Sequence, residues 1–415
     1  MKKTNFFKIS FGVIVVYFAY FLRAFSFLLL APVFTRIIST DIWGSILAAQ
    51  ALAVWLILFL EFGFALSMAR YIAVERDDIK KVRKHVNGIL SAKIMLIPFI
   101  MLLTLLSIQV GALSKVPSFA WWACVWAVAQ GLSPVWYFQA IEEMKWFSLV
   151  DVLSRILYIT LSLIFIRHNN DAYLVIALLA FTSGITSILT FNRMANQVGG
   201  IKISIHSGYL ALKEGITLSG FTLITSLYST ASVFIFGLLA PVQLVAIYGN
   251  ADRLIRAGIG IMAPLNQILL PRSARVFSHS HIDGWSLVKR YLILYGVFGI
   301  TILIIGLLAA SVIINIMYGD KYSSSVHYLR WLLILVPFTA INTVLAYHVM
   351  VPTNNAKIMT NIYTFVSLIS LGLLYLLVPN LKGNGMIIAM LAPEILAFIL
   401  LSLYTFKIYR ASFRI

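Results

Sequence analysis

The stretch LILYGVFGITILIIGLLAASVIINIMY, from Leu292 to Tyr318, carries no charged side chain over a length that can cross a bilayer. About 20 apolar residues in a helix span the roughly 30 Å of hydrocarbon in a membrane. Comparable runs recur along the 415 residues of the chain, of which 61% are hydrophobic and only 11% are charged. A soluble domain carries about 25% charged residues. The sequence therefore predicts a polytopic membrane protein.

The apolar runs predict helices and not the strands of a barrel. They are continuous, without strict alternation of apolar and polar residues, and a backbone in lipid must satisfy its own hydrogen bonds. A cleavable signal peptide is not expected, because the run after MKKTNFFK contains Arg23 and continues as an ordinary span. Twelve spans are predicted, at about residues 9–31, 43–68, 88–108, 118–139, 149–167, 172–192, 215–238, 242–270, 290–317, 327–351, 358–378 and 385–406.

The charges between these runs predict the orientation of the chain. Cytoplasmic loops of membrane proteins carry an excess of lysine and arginine. The two termini and the loops on their side hold 21 such residues, whereas the loops on the other side hold five. Both termini are therefore predicted to be cytoplasmic. The same dispersal over short loops argues against nucleic acid as a partner, despite a formal charge of +18.

A weak internal echo suggests two similar halves. One constant shift along the chain places Gly44 on Gly249, Leu60 on Leu265 and Asp78 on Asp283, and it superposes the second predicted span on the eighth in the same orientation. A parallel repeat of six-helix halves leaves such a trace. We therefore expect an all-α protein of two six-helix bundles, residues 1–200 and 201–415, around a central cationic cavity.

Cofactor chemistry is not expected from the sequence. The single Cys124 excludes a disulfide framework and a cysteine-rich metal site. No G-x-x-x-x-G-K-[ST] phosphate loop occurs, so energy for transport would have to come from a gradient or from the substrate itself.

Ten charged residues fall inside the predicted spans, where such groups are costly and usually face a protein interior or a water-filled cavity. Six are basic and four are acidic, and this surplus predicts a cationic cavity with an anionic passenger. Lys93 and Arg330 lie close enough to span ends to reach the headgroups. The ten residues are Arg23, Glu61, Lys93, Asp151, Arg155, Asp252, Arg253, Arg256, Arg330 and Glu394.

The eighth predicted span contains the most concentrated group of charges, in YGNADRLIRAG, from Tyr248 to Gly258. A helical wheel places Asp252, Arg253 and Arg256 on one stripe with small residues. Asp252 and Arg256 are spaced to pair with each other, which leaves a second guanidinium on the stripe. An interhelical contact accounts for one acid and one arginine only. Two guanidiniums beside one carboxylate instead favour an anion, and phosphate matches the guanidinium fork.

The remaining charges allow more than one interpretation. Asp151 and Arg155 have the spacing of a local salt bridge, which is the favoured interpretation. Glu61 and Glu394 could carry protons, because a desolvated carboxylate titrates nearer neutrality, or could pair with the arginines. A lone histidine within a span, His348, is more often a packed residue than part of a relay.

Several motifs resemble a known family. PVFTRIISTDIWG, FLEFGFALSMARYIA and YGNADRLIRAGIGIMAPLNQILLPR, together with LRWLLILVPF and GNGMIIAMLAPE, are similar to segments of the polysaccharide-type flippases in the multidrug/oligosaccharidyl-lipid/polysaccharide exporter superfamily. The segment PVWYFQAIEEMKWF matches the Pro-x-Trp-x-Phe-Gln-Gly-x-Glu-x-Met pattern of that family, with Ala140 in place of the usual glycine. The matches follow in order along nearly the whole chain.

The resemblance implies an O-antigen flippase of a Gram-negative inner membrane. Such a protein moves an undecaprenyl-pyrophosphate-linked oligosaccharide from the cytoplasmic to the periplasmic leaflet, with alternating access as the expected mechanism. The pyrophosphate would meet Arg23, Arg253 and Arg256, while Glu61, Asp252, Glu394, Asp151 and Arg155 would serve ion coupling or charge pairing. Its partners would be inner-membrane lipid and could include the O-antigen polymerase and the chain-length regulator.

Other classes agree less well with the sequence. A drug or organic-cation antiporter of the same superfamily would need an acidic cavity. An O-antigen polymerase or ligase would be an enzyme with one large periplasmic loop, and the sequence has no such loop. A purely structural role as a membrane partner of other proteins would not explain the intramembrane arginines.

Overall fold

The computed structural model describes residues 11–64, 72, 75, 78–215 and 232–413, and their regular structure is helical. Eight stretches in this described part are long and apolar enough to cross a membrane. The prediction of an all-α, multi-span membrane protein is confirmed. The number of twelve spans stays a prediction, since the seventh predicted span lies largely outside the described residues.

The first part of the chain forms helices of very different length. They are α1 (Phe11–Ile37), α2 (Thr40–Glu61), α3 (Ile79–Ser107), α4 (Pro117–Gly131), α5 (Val135–Ala140), α6 (Met144–Phe165) and α7 (Leu174–Val198). Asp78 begins α3, because its carboxylate accepts the backbone N–H groups of Lys80 and Lys81. Gly199 ends α7 in the left-handed conformation, with φ of 73°.

The second part contains longer helices with internal breaks. Residues 205–215 are helical. The following helices are α8 (Ser232–Leu239), α9 (Val242–Gly260), α10 (Met262–His279), α11 (His281–Tyr318), α12 (Ser325–Leu333), α13 (Leu335–Thr343) and α14 (Ala356–Ser412), with a π-helical segment at Val344–Met350. The backbone of α14 leaves helical geometry at Lys382, with φ of 50° and ψ of −123°. This break separates the last two predicted spans.

The described chain divides into two compact units. The first consists of Met1–Leu30 and Ala49–Leu223, and the second of Ala31–Ala48 and Ile224–Ile415. An aromatic core that includes Trp136, Phe138 and Phe147 lies in the first unit. The second unit has its own core around Tyr295 and Val344. The predicted division at residue 200 stays a prediction.

Two glycines related by the internal echo lie at one close helix crossing in the second unit. A Cβ atom added to Gly44 on α2 would collide with the backbone oxygen of Val242 on α9. A Cβ atom added to Gly249 on α9 would lie 2.8 Å from Cδ1 of Leu47 on α2. Small residues let membrane helices approach closely. Trp43 of α2 also stabilises the crossing. It is fully buried, and its indole N–H donates to Oδ1 of Asn250 on α9 at 2.8 Å.

Candidate functional site

Six of the ten charged residues in the predicted spans lie in two clusters, one in each unit. The first cluster consists of Arg23 on α1, Gln130 on α4, and Asp151 and Arg155 on α6. The second cluster consists of Ser232 on α8 with Asp252, Arg253 and Arg256 on α9. We use the names first cluster and second cluster for these two sets of residues.

Asp151 holds Arg23 at the centre of the first cluster. The Nε and Nη2 atoms of Arg23 donate to Oδ2 of Asp151 at 3.1 Å and 2.9 Å. The side chain of Asp151 is 4% exposed, whereas that of Arg23 is 39% exposed. A buried carboxylate thus orients a partly exposed guanidinium. This pair could not be predicted from local spacing, because 128 positions separate the two residues.

Arg155 is the buried member of the first cluster. Its Nε lies 3.9 Å from Oδ1 of Asp151, so the contact predicted from the spacing is present but long. Its Nη2 also donates to Oε1 of Gln130 at 3.4 Å. Asp151 is therefore shared by two arginines, and the closer of them is Arg23.

The second cluster is built around one local ion pair. Nε of Arg256 donates to Oδ2 of Asp252 at 2.5 Å, and Nη2 donates to Oγ of Ser232 at 3.0 Å. Here too the carboxylate is largely buried, at 9% exposure, and the guanidinium is 39% exposed. Arg253 follows Asp252 on the same helix and is partly buried. Sequence analysis did not identify Ser232, which lies 24 positions away on α8.

The two clusters therefore share one composition, in which a single carboxylate accompanies two guanidiniums. Each cluster carries a net charge of +1 when all of its groups are ionised. Each also presents one partly exposed arginine that a buried aspartate anchors. Fixed guanidiniums with a net positive charge are suited to bind phosphate oxygens, which the planar fork of N–H groups matches.

The two candidate proton carriers occupy different surroundings. Glu394 is 7% exposed, and its Oε1 accepts a hydrogen bond from Nδ2 of Asn342 at 2.9 Å. The same Nδ2 donates to the backbone oxygen of Glu394 at 3.1 Å. Glu61 is the last residue of α2 and is partly buried. A role for either residue in ion coupling stays a prediction.

Lys93 does not reach towards the membrane surface, so that interpretation was wrong. The helix α3 begins at Ile79 and not near residue 88, which places Lys93 in the middle of the helix. The residue is 1% exposed, and its Nζ donates to the backbone oxygen of Gly131 at 2.5 Å. Gly131 ends α4, so the ammonium satisfies a carbonyl at a helix C-terminus, where a cation is stabilised.

His348 is a packed residue, as its isolated position in a span suggested. It is fully buried in the π-helical segment, and its Nδ1 lies 2.9 Å from Oγ of Ser273. The ring of Tyr291 packs edge-on at 5.0 Å between centroids. Within the described residues, no group of three or more histidine, cysteine, aspartate or glutamate side chains could hold a metal ion.

Comparison with known families and structures complements this geometry. The pattern that defines the family described as "Polysaccharide biosynthesis protein" matches residues 10–277, which is more than half of the chain. The chain belongs to this family. The family resemblance seen in the sequence motifs is thereby confirmed.

Relatives and solved structures agree with the family. The chain is 27% identical over 372 residues to the "Putative O-antigen transporter" of Escherichia coli (strain K12), covering 89% of this chain and 90% of that protein. It is similar in fold to the lipid II flippase MurJ in an inward closed conformation, with a TM-score of 0.72 and 16% identity over 95% of this chain and 87% of that one. An inward-facing multidrug resistance transporter of the MATE family gives a TM-score of 0.68 and 14% identity, over 92% and 95% of the two chains.

The relative and the two solved structures bear the names of a transporter, a flippase and a multidrug resistance transporter, which agrees with the prediction of a transporter. The likeness to the solved structures shows a shared fold.

Proposed function

We propose that this protein is an O-antigen flippase that moves an undecaprenyl-pyrophosphate-linked oligosaccharide from the cytoplasmic to the periplasmic leaflet of a bacterial inner membrane. Membership of the polysaccharide biosynthesis family supports this role. The relative from Escherichia coli, which bears the name of an O-antigen transporter, aligns over nearly all of the chain. Alternating access is the proposed mechanism, both termini are cytoplasmic, and the polymerase and chain-length regulator are possible partners.

One observation carries the proposed chemistry of substrate binding. Arg23 and Arg256 are each partly exposed, and each is anchored by a nearly buried aspartate. An anchored guanidinium loses less conformational entropy when it binds, because its orientation is already fixed. The pyrophosphate of a lipid-linked sugar is an anion of matching geometry. We assign Arg23, Arg253 and Arg256 to contacts with this group.

The charge of the clusters disfavours the cation antiporter. An organic cation requires carboxylates in excess of basic groups, whereas each cluster contains two arginines for one aspartate. A cation would be repelled by the net charge of either cluster. A cationic site for a lipid-linked phosphate therefore agrees better with the charge of the two clusters.

The test is export in a bacterial strain from which the native O-antigen transporter has been removed. Wild-type protein should restore O-antigen on the cell surface, whereas Arg23→Ala and Arg256→Ala should reduce it strongly at equal protein level in the membrane. Arg330→Ala is the matched control, because Arg330 lies exposed at the end of α12. Full surface O-antigen from both cluster variants would contradict the assignment of these arginines.

A further inference from the structure

The first cluster contains a carboxylate that two arginines share unequally. Arg23 places two N–H donors on Oδ2 of Asp151, whereas the nearest nitrogen of Arg155 is 3.9 Å from Oδ1. The side chain of Arg155 is 8% exposed, against 39% for that of Arg23. The two arginines therefore differ in access, and only Arg23 is open enough to meet a ligand.

The charge of the cluster raises a problem for an anion at Arg23. An anion that approaches this guanidinium also approaches the carboxylate of Asp151, which lies 2.9 Å from it. A pair of opposite charges in direct contact has almost no net charge, so its attraction for a third charge falls off steeply with distance. With Asp151 as its only neighbour, Arg23 would be a poor site for phosphate.

Arg155 removes this problem because it supplies the second positive charge. Its guanidinium lies on the other oxygen of Asp151, and Oε1 of Gln130 holds it in place at 3.4 Å. The adjacent residue, Ser154, accepts a hydrogen bond from Thr186 of α7 at 2.6 Å, which ties this turn of α6 to its neighbour. Arg155 is thus fixed beside the carboxylate and buried away from any ligand.

We propose that Arg155 is a positioning residue that neutralises Asp151 electrostatically, so that Arg23 keeps an uncompensated positive charge for the phosphate of the substrate. The proposal rests on the proposed function, since it concerns the same anionic ligand. Asp151 then orients Arg23, and Arg155 cancels the electrostatic cost of that anchor. The second cluster has the same composition, with Arg253 beside the pair formed by Asp252 and Arg256.

The experiment measures binding of farnesyl pyrophosphate, a soluble short-chain probe, to the purified full-length protein by calorimetry, together with O-antigen export. Arg155→Gln should weaken probe binding by about tenfold or more, as expected for the loss of one unit charge from a poorly screened site. Arg155→Lys should bind nearly as well as wild type, because it retains the charge. Each variant is compared at equal amounts of folded protein.

The decisive variant is the double substitution Asp151→Asn with Arg155→Gln. It removes one charge of each sign and restores the net charge of +1, so it should bind the probe more tightly than Arg155→Gln alone, while the loss of the Asp151 anchor keeps its binding weaker than that of wild type. Because Asp151 and Arg155 are removed together, this variant leaves no buried charge unpaired.

Two results would overturn the proposal. Wild-type binding by Arg155→Gln would show that its charge is not needed. Equal weakness of the single and the double variant would show that Arg155 contacts the ligand or only supports the fold. Failure of the proposed function would look different, because Arg23→Ala and Arg256→Ala would then bind the probe and export O-antigen normally.

Discussion

Arg23 on α1 and Asp151 on α6 are joined by two hydrogen bonds, of 3.1 Å and 2.9 Å, across 128 positions of the chain. Both donors converge on one oxygen, so the contact fixes the plane of the guanidinium as well as its position. Salt bridges at a protein surface contribute little, but this carboxylate is 4% exposed and is therefore poorly screened. Because the guanidinium is held in this way, a substitution at residue 23 tests whether its forked donors are needed.

Arg23→Lys is expected to slow export without abolishing it. An ammonium keeps the charge but cannot offer one set of donors to Asp151 and a second, forked set to phosphate. The loss of one charge-assisted hydrogen bond corresponds to about 1.5–3 kcal/mol, or roughly a tenfold decrease or more. The initial rate at which O-antigen appears on the cell surface, at matched protein level, measures this decrease in export. Arg330→Lys is the control. A variant as fast as wild type would show that the fork is not used.

The two candidate proton carriers are tested by removing their charge alone. Glu394→Gln retains a carbonyl oxygen that can accept the hydrogen bond from Asn342, so the local packing should survive. If Glu394 or Glu61 carries protons, the corresponding glutamine variant should export at a rate that no longer depends on the transmembrane pH gradient. Export is followed with and without a protonophore. Unchanged gradient dependence in both variants would exclude them as obligatory carriers.

Lys93 should tolerate methionine better than alanine. Methionine keeps the length of the side chain and removes the buried charge, but it leaves the backbone oxygen of Gly131 without this donor, at a cost of about 1–3 kcal/mol. Alanine also leaves a cavity, at a cost of about 2–5 kcal/mol by comparison with other large-to-small substitutions. Thermal unfolding of the purified protein should place Lys93→Met below wild type and Lys93→Ala below Lys93→Met. A surface lysine would show almost no effect from either change.

Contacts between residues that are close together on one helix could be predicted from the sequence. The pair of Asp252 and Arg256 follows from their spacing, because residues four apart lie on the same face. The contacts of Arg23 with Asp151 and of Trp43 with Asn250 join helices that are far apart in the chain, and no local pattern encodes them. The burial of Lys93 was missed because hydropathy does not show that a helix begins before its apolar part.

Alanine is expected to have different effects at the two glycines where α2 crosses α9, because different atoms surround them. A methyl group at Gly44 would collide with the backbone oxygen of Val242, which cannot move independently of α9, whereas one at Gly249 would press on the flexible side chain of Leu47. Gly44→Ala should therefore lower the unfolding temperature and the protein level in the membrane strongly, and Gly249→Ala only mildly. Gly372→Ala is the control, because no atom lies within 4 Å of its added Cβ and alanine is favoured in helices by about 1 kcal/mol. Equal stability of the Gly44 and Gly372 variants would mean that the close approach of the two helices is not required for folding.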